Sequence, residues 1–359
     1  MSLDALNAFV DGVYDRSDYP ATALQTENWA ETMPLSGFSV LDATPVFRNT
    51  LLKYRALLAA GAELSVGVSD VVAKDPRIVD KLKEWNVPVV TAKDVSRNSF
   101  DLVLDCAGGF SRLLPRIGFV ELTRSGVERY RSASRPVFVA DSGKIKRIET
   151  SLGTGDGYFR AMEKLGYGNF KGSRFTVFGD GKVGAGIAAY ALRRGAHVSV
   201  VTDTGLCPAK PLAGKELHRV DFRDDSAVAE LLKDSDFVVT ATGKKNALSA
   251  AAQAALLNTR AVLANMGVED EYGETFPADR VLNGKRPLNF LLEEPTQLRY
   301  IDATFALHNA LAEHLAELSA GGKVAPGLYP PPEYIEAELL DVTRERGNIP
   351  GELLRDFVD

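Results

Sequence analysis

Residues 174–203 read RFTVFGDGKVGAGIAAYALRRGAHVSVVTD, and the four glycines between two apolar runs decide the fold class. Gly179, Gly181 and Gly184 stand in the G-x-G-x-x-G spacing, with Gly186 two positions further. At such a turn the first glycine permits the tight exit from a strand. The second lets the backbone approach a diphosphate, and the third lets the next helix pack closely on the strand. The intervening residues Asp180, Lys182 and Val183 complete the cradle, because N–H groups at a helix start donate to phosphate oxygens. Asp203 closes the second apolar run twenty-two positions after Gly181, where the pattern wants an acid for the adenosine ribose hydroxyls. An acid there repels a 2′-phosphate, so the expected cofactor is NAD rather than NADP, although Thr202 stands one place nearer the strand. The alternative is a βαβ turn that holds no ligand.

Outward from this turn, short apolar runs alternate with stretches of helical spacing. After Ser151 come GDGYFRAMEKLG, RFTVFGDG, VGAGIAAYALRRG, AHVSVVTD, SAVAELLKDS, DFVVTATG and RAVLANMG. A similar series runs from about Ser39 to Glu121, beginning with the helix-like VFRNTLLKYRALLAAG at 46–61. Alternation of this kind predicts parallel sheets with crossover helices. The fold class expected is α/β, with two Rossmann-like doubly wound domains around a cleft. Residues 1–150 plus 300–345 are expected to form a substrate domain, 151–299 an NAD-binding domain, and 346–359 a C-terminal tail. The polar stretch SRPVFVADSGKIKRIETSLGTGDG reads as the crossing between them, and 300–322 as a long helix.

Composition narrows the function classes. A chain of 359 residues has room for two domains. Its net charge of -6 leaves no basic field to attract nucleic-acid phosphates, so a small-molecule substrate is the expected partner. Two distant cysteines, Cys106 and Cys207, exclude a disulfide framework and a CxxC zinc site, and no metal is expected. Few cysteines, acids at the N-terminus and no long apolar run point to a cytoplasmic protein without membrane insertion.

With those residues in view, the chain resembles the adenosylhomocysteinase (S-adenosylhomocysteine hydrolase) family, in order, from about residue 40 to 340. The family's VAGYGDVGKG matches TVFGDGKVGAG. Its TTTGN matches VVTATGK, which gives Thr240, Thr242 and Gly243. Its CNIGH matches ANMGV, giving Asn265 and Gly267, and the asparagine of its LVNLG segment matches Asn289. In the substrate half, LDDGGD resembles the run from Leu104 to Gly109, which contains Asp105. EETTTGV resembles Glu121 to Val127, where Thr123, Arg124 and Ser125 match threonines that reach NAD in the family. The resemblance implies an NAD domain beside a substrate domain. It also implies chemistry in which held NAD oxidises a 3′-hydroxyl, a thiol is eliminated, water adds and the ketone is reduced again.

Departures fall on the adenosine side. The family's HMTxET stretch becomes PVFRNT at 45–50, without histidine, and the histidine after its NIG becomes Val268. Its lysine and aspartate of TKSKFDN fall on IKRIET, where Ile145 takes the lysine place between Lys144 and Lys146, and Glu149 suits the aspartate. Such a cycle needs bases for a hydroxyl proton and a carbon acid, and a donor for developing oxyanion charge. Lys144, Lys146, Asp105, Glu121, Glu149 and His308 are the candidates. Each has a plain alternative: the KIKR cluster as a solvated linker face, Asp105 as a cap or turn residue, and His308 as a packing residue of the long helix. Residues 346–359 carry no counterpart of the family's HYRY tail, so a dimer rather than its tetramer is expected. The function expected is hydride abstraction from a secondary alcohol of a small molecule other than S-adenosylhomocysteine. The alternatives are a dehydrogenase or reductase of a hydroxy, keto or imino acid, and a non-catalytic NAD-binding regulator.

Overall fold

The protein is described by a computed structural model, in which residues 3–70, 72–322 and 324–359 are placed. The chain opens with α1 (Leu3–Val10) and α2 (Pro20–Thr32), then β1 (Ser39–Asp42), α3 (Thr50–Ala59), β2 (Glu63–Gly67), α4 (Pro76–Glu84) and β3 (Val89–Val90). Three strands follow: β4 (Leu102–Asp105), β5 (Gly118–Glu121) and β6 (Pro136–Val139). Next come α5 (Thr154–Lys164), β7 (Arg174–Phe178), α6 (Lys182–Arg193), β8 (His197–Thr202), β9 (His218–Asp221), α7 (Asp225–Lys233), β10 (Phe237–Thr240), α8 (Ala250–Leu257) and β11 (Val262–Asn265). The chain ends with α9 (Leu298–Ala320), β12 (Gly327–Tyr329), α10 (Glu333–Arg346) and α11 (Gly351–Val358).

These elements form two compact units. One comprises the chain up to Lys146 together with Leu298–Gly351, the other Arg147–Gln297 together with Glu352–Asp359. Residues 346–359 therefore form no separate tail. α10 runs to Arg346, and α11 buries Leu353, Leu354, Phe357 and Val358 within the second unit. The stretch read as a polar crossing is also narrower than expected, because all four residues of β6 are buried in the first sheet.

Both sheets are parallel and doubly wound. The first has the order β12-β6-β5-β4-β1-β2-β3, the second β11-β10-β7-β8-β9. Each reverses direction beside its first strand, so loops part there at the carboxyl ends and open a crevice for a ligand. β4, β5, β6 and β10 are buried along their whole length, as expected of parallel strands with helices on both faces.

Helix α3 starts four residues after the periodic pattern does. Thr50 Oγ1 donates to the Pro45 carbonyl at 2.6 Å and accepts from the Phe47 N–H at 3.2 Å, which holds 45–49 as a turn. Its Lys53 is fully buried and paired with Asp42 at the end of β1, also fully buried. Asp302 of α9 caps the start of α2, accepting from the N–H of Ala21 at 2.7 Å and of Thr22 at 3.1 Å. Burial of its carboxyl pushes the pKa up to about 6.

Candidate functional site

The glycine turn between β7 and α6 has the geometry of a diphosphate cradle. Gly179 has φ +92°, a left-handed conformation open to glycine, and the Ala241 carbonyl lies 2.8 Å from where its Cβ would stand. Gly184 meets the Gly179 carbonyl oxygen at 1.9 Å from such a Cβ, which fixes close packing of α6 on the turn. Gly181 differs, since nothing lies within 4 Å of a Cβ there. Its bareness serves no internal contact. α6 makes its first intrahelical bond from the Ala185 N–H to the Gly181 carbonyl, so the amides of Lys182, Val183 and Gly184 belong to the donors a helix start directs outward. Arg147, Lys182 and Lys210 line a pocket of about 250 Å³ at this helix start, beside Gly181, Asp180 and Phe357. Three cations and outward amides at one open backbone position fit a diphosphate. Gly186 serves packing instead, its missing Cβ leaving room for the Ser151 carbonyl.

At the far end of β8, Thr202 donates to Asp180 at 2.7 Å, which ties the turn to the next strand. Asp203 follows, partly exposed, and accepts from the Gly205 N–H at 3.0 Å. Its carboxylate is gripped by both prongs of Arg223, which also reaches Asp221 at 3.2 Å. The Arg223 hydrogen bonds hold the Asp203 carboxyl below its ordinary range.

The residues after β10 and β11 are tied into their own unit. Thr240 donates to Asn265 Oδ1 at 3.0 Å, and Asn265 Nδ2 donates to the carbonyls of Glu269 at 2.8 Å and Lys285 at 2.6 Å. The amides of Thr242 and Gly243 donate to the buried carboxylate of Glu271, at 2.9 and 2.7 Å. Glu271 also fills the space left by the missing side chain of Gly267, 1.9 Å from where a Cβ would stand. Burial pushes its carboxyl above the ordinary range. Asn289, buried on the turn Leu288–Leu291, packs against Gly157. Thr240, Asn265 and Asn289 thus shape the floor beside the turn from within.

In the first unit, Asp105 and Glu121 end adjacent parallel strands in register. Asp105 accepts from the amides of Cys106 and Phe110, both at 2.8 Å, and from the Tyr130 hydroxyl. Glu121 accepts from the amides of Ala107, Gly108 and Thr123 at 3.0, 3.0 and 2.8 Å, and from the Thr123 hydroxyl at 2.7 Å. The two acids hold loop 106–110, including Ala107 at φ +56°, a conformation that costs a residue with a side chain about 1 kcal/mol or more. Burial raises both carboxyls, that of Asp105 to about 7 with the Glu121 charge adding to the effect. Thr123, Arg124 and Ser125 open the turn that follows, with the Thr123 and Ser125 hydroxyls 3.1 Å apart.

His308 is fully buried in α9, its Nε2 3.0 Å from the Val120 carbonyl and its Nδ1 3.5 Å from the Thr44 hydroxyl. Burial, with the charge of Lys53 adding to it, pushes its pKa well below the ordinary value, so it stays neutral. The packing alternative describes it. Of the two candidate lysines, Lys144 is exposed, whereas Lys146 is 2% exposed at the end of the first unit. Glu149 lies within the π-helical turn Ile148–Gly153, in the second unit.

Comparison with known proteins supplies the relationship. Residues 167–278 match a family model described as "Putative NAD(P)-binding". The adenosylhomocysteinase of Thermoplasma acidophilum is 24% identical, over 93% of this chain and 92% of its own length. The S-inosyl-L-homocysteine hydrolase of Methanopyrus kandleri is 24% identical, over 92% of this chain and 88% of its own. The chain is a divergent relative of the adenosylhomocysteinases. NAD is its cofactor, and the turn at Gly179–Gly184 is the part of the molecule shaped for the diphosphate. In fold it is also similar to a dipicolinate synthase from Bacillus halodurans, with a TM-score of 0.53 at 15% identity over 79% of this chain and 99% of that one. Among the described residues no helix is long and apolar enough to cross a membrane.

Arg223, Glu271 and the buried pair Asp42–Lys53 do not stand out in the sequence. Arg223 stands in a DFRDD run and Glu271 in a VEDEYG run, where neighbouring charges of the same kind hide which side chain turns inward. Lys53 sits on a helix whose residues are buried nearly all round, so no polar stripe marks it.

Proposed function

We propose that this adenosylhomocysteinase-like protein oxidises a secondary alcohol of a small molecule as the first step of its reaction, on a substrate other than S-adenosylhomocysteine. The observation that carries the reading is the contrast at the glycine turn. Gly181 is bare toward open space while Gly179 and Gly184 are bare for packing, so the cofactor half of the family pattern is kept with its geometry. The substrate half is not kept. Pro45 to Thr50 form a turn and helix start with no histidine, and Asp105 and Glu121 are occupied with loop amides. The named relatives support a change at the base of the substrate, since one carries adenosyl and another inosyl in its name.

NAD supplies a hydride acceptor when bound. The chain's own groups must then take the hydroxyl proton and stabilise charge on oxygen. Lys146 is the residue we assign to that task, because a buried ammonium meets both requirements and Lys144, in water, does not. The acid pair Asp105 and Glu121 holds loop 106–110 and keeps the turn at Ala107 closed.

The test is turnover by the purified, NAD-loaded protein against a panel of nucleosides, nucleosyl thioethers and hydroxy acids. Absorbance at the NADH wavelength and release of thiol are read together. Transient reduction of the cofactor by one alcohol, with no adenosine released from S-adenosylhomocysteine, supports the proposal. Efficient cleavage of S-adenosylhomocysteine overturns the changed-substrate part, and no reduction by any alcohol overturns the whole.

A further inference from the structure

The charges around Asp203 do not match a site that rejects phosphate at the adenosine ribose. Both oxygens of its carboxylate are bound by Arg223, and a second acid, Asp221, shares the same guanidinium. Arg219 donates to the Asp203 carbonyl at 3.0 Å and to the Leu206 carbonyl at 2.9 Å. Next to Arg223 stands Phe222, half exposed, with the guanidinium carbon of Arg223 4.6 Å from its ring centre and Lys244 Nζ at 5.9 Å. Two carboxylates are therefore faced by Arg219, Arg223 and Lys244, and the repulsion expected from Asp203 alone is cancelled. An exposed aromatic ring flanked by cations, one loop along from the ribose acid, also offers a stacking surface for a purine.

We propose that the dinucleotide site accepts NADP as well as NAD, with Arg223 as the residue that holds the 2′-phosphate and Phe222 as the platform beside it. This rests on the reading that the glycine turn holds a dinucleotide. The guanidinium fork matches phosphate as well as carboxylate, so when the 2′-phosphate arrives Arg223 exchanges one anionic partner for another. Asp203 keeps its bond from the Gly205 N–H. With NAD, the ribose hydroxyls donate to the lone pairs of Asp203 that Arg223 leaves free.

The experiment is calorimetric titration of the purified protein with NAD and with NADP, for wild type, Arg223→Ala and Arg223→Lys, each checked for folding by thermal melting. For wild type the two dissociation constants are expected to lie within about tenfold of each other. Arg223→Ala should weaken NADP by about 10- to 100-fold, the worth of charge-assisted hydrogen bonds, and leave NAD unchanged or tighter. Arg223→Lys, which keeps the charge and loses the fork, should fall between them. NAD binding with no NADP binding in wild type overturns this inference alone, as does an equal loss of both nucleotides in Arg223→Ala. Binding of neither nucleotide by wild type overturns the dinucleotide reading and this inference with it.

Discussion

Replacing Gly181 by alanine should separate the cofactor site from the fold. Gly181 has φ -64° and ψ -172°, which alanine adopts freely, and its Cβ would meet nothing within 4 Å. Loss of unfolded-state freedom alone should therefore leave the free protein unchanged or up to about 1 kcal/mol more stable. The same methyl group would stand where the diphosphate comes closest to the backbone. Moving the phosphates back sacrifices one or two charge-assisted N–H bonds, about 10- to 100-fold in the dissociation constant for NAD. Gly184→Ala is the opposite case, since its Cβ would lie 1.9 Å from the Gly179 carbonyl oxygen and overpack the turn, at a cost of about 3 kcal/mol or more. Chemical denaturation measures the first quantity and calorimetric titration the second. If Gly181→Ala is folded and binds NAD as tightly as wild type, the assignment of this turn to the diphosphate fails.

Asp105 has a folded pKa of about 7 against an ordinary value of 3.8, so the folded state binds the extra proton between those limits. Its contribution is present at low pH and lost as pH rises through about 7. Asp105→Asn, neutral throughout, should thus gain stability relative to wild type between about pH 5 and pH 8, by a few kcal/mol; parallel denaturation curves across that range would contradict the assignment. Lys146→Met should abolish turnover while NAD binding by calorimetry is retained, whereas Lys144→Met should affect neither. Lys53→Met leaves the buried Asp42 carboxylate without its partner and should cost about 3–5 kcal/mol in chemical denaturation, far more than a typical surface lysine change.

The parallel α/β class was legible because valine-rich runs and glycine stops recur at crossover spacing, and a buried parallel strand shows itself as a short apolar run. The turn at 179–184 was legible for a stronger reason, since its constraints are local: a left-handed glycine, a close helix and a bare amide all fall within six residues. Asp203 was found by counting, yet its partner Arg223 was not, because β9 brings it there from twenty residues away. For the same reason Glu271 was missed while Thr242 and Gly243, which it holds, were named. Asp105 and Glu121 look like catalytic acids in sequence, and only the amides of loop 106–110 reveal where their lone pairs go. The helical pattern at 351–358 is too short to stand alone, and its burial depends on the second unit.

A crystal structure of the protein soaked with NAD tests the central claim most directly. The diphosphate should accept hydrogen bonds from main-chain amides at Lys182 and Val183, pass over bare Gly181, and place the adenosine ribose beside Asp203. A nucleotide bound elsewhere, or a glycine turn that stays without phosphate at saturating NAD, would contradict the account.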